Sequence, residues 1–127
     1  MENGVLKFDP RQPRWAPGSI ATTASRRQPP MRCDGYSEIR GFIKSDTALK
    51  LSLASGMFPA DTPQTTQAGA ASLPWATPEI DIASSSGAET GTPFSIQIYG
   101  PAGWCQLVVR NATGGTAAVS AVDSELL

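Results

Sequence analysis

Apolar residues alternate with polar ones in several short stretches of this chain, and each stretch ends in turn-forming residues. In residues 37–44 the positions Ile39, Gly41 and Ile43 share one parity, while Glu38, Arg40, Phe42 and Lys44 share the other. Period two is the signature of a half-buried strand. Ser45-Asp46-Thr47 supplies turn chemistry. Leu49, Leu51 and Leu53 then alternate with Lys50 and Ser52, a second strand with one apolar face. The short connection predicts that these two strands form an antiparallel hairpin. Ile80 and Ile82 mark a short strand, and Phe94, Ile96 and Ile98 another. Residues 104–110 make the strongest strand, with Cys105, Leu107 and Val109 on one face. After the turn at 111–115, residues 116–122 form a last strand, with Ala117, Val119 and Ala121 on one face. Ile39, Ile43, Leu49, Leu51, Leu53, Ile96, Leu107 and Val109 are the expected core.

Six or seven strands at short intervals predict an all-β fold, an antiparallel β-sandwich of Ig-like or jelly-roll-like type. The 12 Gly and 11 Pro agree with that, because a helix interior loses about 1 kcal/mol per Gly and about 3 per Pro. Residues 55–78, rich in Gly, Pro, Thr and Gln, read as a long excursion, a kind that is usually functional or interfacial.

Residues 1–35 break the pattern. Five prolines interrupt them, and their apolar residues show no period. They read as a long extended N-terminal arm that cannot bury its own apolar groups and would be disordered alone. The division is therefore arm 1–35, sandwich 36–122 and C-terminal tail 123–127. The charge follows it. Residues 1–32 hold six basic and two acidic residues, a net +4, and the rest of the chain nets -5. A basic arm on an acidic body suits protein partners. Phe8, Trp15 and Ile20 are the expected anchors on a partner, and the adjacent Arg26 and Arg27 the expected carboxylate clamp. Deleting residues 1–32 should then leave a folded sandwich. The basic charges are too spread out for strong phosphate binding, which argues against nucleic acid.

The chain has no histidine. It thus lacks the commonest general base, its Ser–His and Cys–His pairs, and the commonest zinc ligand. The expectation is a protein that is no enzyme and holds no cofactor or metal. Glu79 and Asp81 share one side of a strand, which reads as a solvated face rather than as a weak cation site. Asn111-Ala112-Thr113 fits a glycosylation acceptor but reads as turn chemistry without a secretory leader. Residues 100–103 lack the Lys-Ser/Thr that a phosphate loop needs. Cys33 and Cys105 read as two reduced thiols, with a single bridge from arm to body as the alternative. No run of about 18 apolar residues predicts a membrane span.

Residues 36–122 also resemble, in the order of their features, a β-sandwich module common in virion proteins of tailed bacteriophages. The resemblance rests on the opening strand and Ser45-Asp46 turn leading into the aliphatic strand at 49–55. It rests further on the strand at 94–99, the Gly100-Pro101 corner, and a strand ending in Arg110-Asn111 before Gly114-Gly115. It implies a structural virion protein, made in the host cytoplasm. The leading form is a capsid decoration or cement protein that binds the major capsid protein or other virion proteins and links neighbours through its arm. A homo-oligomer is implied, with a trimer as its natural symmetry. A tail, neck or fibre component is one alternative. The other is a carbohydrate- or host-surface-binding module, for which Tyr36, Phe42, Tyr99 and Trp104 are the candidate aromatics.

Overall fold

A computed structural model of the protein describes residues 15–28, 31–56, 75–85, 91–98 and 103–127. Phe8 and most of the 55–78 excursion lie outside these residues. Among the described residues there are ten strands and no helix. They are β1 (Gly18–Ile20), β2 (Ser25–Arg27), β3 (Met31–Arg32), β4 (Glu38–Ser45), β5 (Leu49–Gly56), β6 (Trp75–Ala76), β7 (Ile80–Ile82), β8 (Thr92–Gln97), β9 (Trp104–Arg110) and β10 (Ala117–Leu126).

Two antiparallel sheets form the sandwich. One has the order β1-β10-β4-β8. The other is centred on β9 and β5, with β2 and β3 along β9 and with β6 and β7 along β5. The parity of β4 is as the sequence predicts. Ile39 and Ile43 are fully buried, while Arg40 and Phe42 are exposed. Leu49, Leu51 and Leu53 of β5 and Leu107 and Val109 of β9 close the core from the other sheet. All eight expected core residues are buried. Each such aliphatic side chain contributes about 1.5–3 kcal/mol on leaving water.

Four expectations need correction. First, β4 and β5 are not a hairpin. β4 pairs with β10 and β8, and β5 with β9, β6 and β7. Residues 46–48 carry the chain from one sheet to the other, so that Ile39 and Ile43 face the leucines across the core rather than beside them. The corner is held by Asp46, which accepts from the Ala118 amide at 2.8 Å and from the Thr47 hydroxyl at 2.8 Å. Second, the last strand runs on through Leu126. Residues 123–126 are a paired strand with Leu126 in the core, not a tail. Third, a bulge between Val119 and Ala121 resets the parity of β10. Ala117 and Val119 face inward, and after the bulge Val122, Ser124 and Leu126 do so, in place of Ala121.

The fourth correction concerns the arm. From Trp15 onward the described residues belong to the sandwich. β1 forms an edge of the first sheet on β10, and β2 and β3 form an edge of the second on β9. Trp15, Ile20, Met31 and Cys33 are all part of the core. The cost of ordering this segment, about 1–2 kcal/mol per residue, is offset within the chain by ladder hydrogen bonds and apolar burial. The expected boundary at residue 35 therefore does not divide the fold.

Candidate functional site

The outward face of the β10-β4-β8 layer carries the candidate interaction site. The register sets its rows. Phe42 lies between Pro93 of β8 and Asp123 of β10, and Arg40 lies between Ser95 and Glu125. Cross-strand neighbours on one face are the contacts that shape a sheet surface. Phe42 stands 45% exposed, the most exposed large apolar side chain among the described residues. Beside it is a depression of about 630 Å³ lined by Arg40, Gly41, Phe42, Pro93, Asp123 and Glu125, among others. Gly41 is required there: a Cβ at this position would lie 1.8 Å from the carbonyl oxygen of Asp123. Farther along, the Ser95 hydroxyl donates to the Glu38 carboxylate at 2.7 Å.

β8 has only β4 as a neighbour among the described residues. The Ile98 amide donates to the Ser37 carbonyl at 2.9 Å. Antiparallel alternation then turns the amides of Phe94 and Ile96 towards β4 and position 93 outward. Proline has no N–H to give, so Pro93 occupies an edge position where none is needed.

The site residues expected from sequence lie elsewhere. Trp15 is 5% exposed and Ile20 3%, both within their own core. They anchor the N-terminal strands, so they are not available to a partner. Arg26 lies on the core side of β2, its guanidinium 5.0 Å from the centre of the Trp15 ring. Burial lowers its pKa. Its Nη1, the Nε of Arg27 and the Nε1 of Trp15 are buried without a hydrogen-bond partner among the described residues. The clamp expected of Arg26 and Arg27 is thus a seam filler at Arg26. Of the other candidate aromatics, Tyr36 packs partly buried against the core, Trp104 is half-buried beneath Arg32, and Tyr99 is outside the described residues.

On the other sheet, Glu79 takes Arg110 in a two-point ion pair, 2.8 Å at each oxygen, and Asp81 pairs with Lys50. The hydrogen bonds from Arg110 lower the pKa of Glu79. Each carboxylate is matched by a cation, which leaves the pair poorly suited to a metal ion. Asn111 is fully buried. Its amide donates to the carbonyls of Ile20 at 2.8 Å and Gly115 at 2.7 Å, and its oxygen accepts from the Thr113 amide at 2.9 Å. The amide is therefore turn chemistry, extended to the corner after β1, and is closed to glycosylation in the folded state.

Phe42 is one of the four aromatics named for the carbohydrate-binding alternative, but it was not among the expected partner-binding residues. The signal was present: a large aromatic on the polar parity of an otherwise regular strand. Scanned against protein-family models the chain matches none, and a search of curated proteins also finds no match.

Proposed function

We propose that this chain is a structural virion protein of the capsid-decoration kind, which docks through the outward face of its β10-β4-β8 layer. The observation that carries the reading is Phe42, exposed at the centre of a paired sheet and flanked by charged residues of both signs, Arg40 with Asp123 and Glu125. An aromatic anchor with a polar rim is the usual make-up of a protein-binding patch. A sandwich whose N-terminal strands are built into both sheets is a stiff unit, suited to holding such a patch in one orientation. Docking through that face replaces the linking arm, because Trp15 and Ile20 are used within the fold. Repetition of one modest contact over a lattice gives retention by avidity, and a homo-oligomer such as a trimer would multiply it. The absence of histidine from the sequence supports a role without catalysis.

Counting copies of the protein in purified particles by quantitative mass spectrometry tests the reading. On the order of hundreds per particle is the expected result, while about a dozen or fewer points to a neck or tail ring of cyclic symmetry. Absence from the particle removes the reading. The same aromatic beside Asp123 and Arg40 also supports carbohydrate binding, since a sugar ring can stack on Phe42 while the flanking groups meet its hydroxyls. A glycan array with wild-type protein and Phe42→Ser separates the two.

A further inference from the structure

Two cysteines, 72 positions apart in sequence, meet in the core beside the N-terminal strands. β3 pairs with β9 so that Met31 lies opposite Cys105. The Cys33 amide donates to the Gly103 carbonyl at 2.9 Å, which carries the register one step past the strand. Cys33 and Cys105 are therefore diagonal neighbours on the core side of the ladder, 1% and 0% exposed. Gly103, opposite Cys33, has no side chain to hold the sulfurs apart. Each thiol shifts the other's ionisation, and the two are not joined as a disulfide.

We infer that Cys33 and Cys105 form a redox-responsive pair, which a small disulfide such as oxidised glutathione converts to an intramolecular bridge. The bridge staples the end of the N-terminal segment to β9. This inference stands apart from the proposed docking face and does not depend on it.

The chemistry balances with that oxidant alone. The Cys33 thiolate attacks one sulfur of oxidised glutathione, forms a mixed disulfide and expels one glutathione thiolate. Cys105, once deprotonated, attacks the Cys33 sulfur and expels the second. The two protein thiols give up two electrons and two protons, and the oxidant leaves as two glutathione thiols. The order follows from the environment. The neighbouring Cys105 thiol lowers the pKa of Cys33 and so favours its thiolate, whereas Cys33 and burial push Cys105 up. Access comes from local opening of β3, a strand of two residues. Short edge elements with few ladder bonds open at low cost. On its outer side β3 is fastened by Arg32, which lies over Trp104 and pairs with Asp34 at 2.7 Å.

The test equilibrates the full chain in glutathione buffers of graded ratio, then denatures, alkylates and maps the peptides. The expected product is a monomer in which the Cys33 and Cys105 peptides are joined. Its Tm should exceed that of the reduced form by roughly 5–15 °C, the scale for closing a long loop in a small domain. Amide exchange of Arg26 and Arg27 should slow with it. Two alkylatable thiols in excess oxidised glutathione, a mixed disulfide that goes no further, or cross-links only between chains would each overturn the inference. Cys33→Ser guards the thermal reading: an equal Tm rise in that variant would show that the bridge is not its cause.

Discussion

The guanidinium of Arg26 lies over the ring of Trp15 and so closes the seam between the two sheets. Trp15 is held to the first sheet by its amide, which donates to the Val122 carbonyl at 3.2 Å, while Arg26 belongs to β2 of the second. Trp15→Ala should cost about 3–5 kcal/mol, as large-to-small changes in a core do. Arg26→Met, which keeps the stem and removes the charge, should cost about 0.5–2 kcal/mol. Urea denaturation of both single variants and the double one measures the coupling, and strict additivity would show that the stacking contributes nothing.

Removing residues 1–32 should abolish the fold rather than trim it. The truncation strips an edge from each sheet together with Trp15, Ile20 and Met31 from the core. Nuclear magnetic resonance of the shortened chain should show the narrow amide dispersion of an unfolded protein. A well-dispersed spectrum would mean that the remaining strands stand without their edges.

Asn111 holds the corner after β1 to the turn before β10. Asn111→Ala leaves the buried carbonyl of Ile20 short of a donor, and should cost about 1–3 kcal/mol. Asn111→Asp should be no better, since it replaces a donating amide by an accepting carboxylate. Thermal melts of the two variants check this, and a wild-type Tm in either would remove Asn111 from the frame.

Stability should fall in acid. The Ala118 amide holds the Asp46 carboxyl below its ordinary pKa, and Arg110 does the same for Glu79. A depressed folded pKa gives stability that is present above the unfolded value, about 3.9 for Asp and 4.3 for Glu. It is lost as pH falls through the folded value. Urea midpoints between pH 7 and pH 2 should therefore drop at the acid end, and the drop should be shallower in Asp46→Asn. An identical profile in that variant would show that the Asp46 bond contributes nothing.

Phe42→Ser should leave stability within about 1 kcal/mol, because the side chain already meets water. On the proposed reading it should weaken retention on particles at least about tenfold. Unchanged occupancy would place the docking surface elsewhere.

The inward parity of β4, β5 and β9 was legible because each has alternating positions enough to establish period two. Three features were not legible, each for a physical reason. A turn of three residues looks the same whether it joins neighbours in one sheet or crosses between two, so the hairpin expected at Ser45-Asp46-Thr47 became a corner. A bulge adds one residue without any marker in Ala118-Val119-Ser120-Ala121, and the face of the following residues reverses. β1, β2 and β3 are three, three and two residues long. Strands that short show no period, and the prolines around them read as disorder. Their order comes from partners far along the chain. Of the candidate site, Phe42 was visible as an aromatic on the wrong parity, whereas Pro93 and Asp123 beside it became neighbours only through the register.

Those distant partnerships also set the order in which the molecule can be completed during synthesis. The segment that forms β1 and β2 leaves the ribosome well before β10 and β9, the strands with which it pairs. The Asn111 side chain meets a carbonyl 91 positions earlier. These residues must wait until the distant strands have been made, with Trp15 and Ile20 uncovered in the interval. Contacts of such long sequence separation slow folding, and exposed apolar strands in that interval invite association between nascent chains. For this protein the hazardous moment is the delay before its last strands arrive.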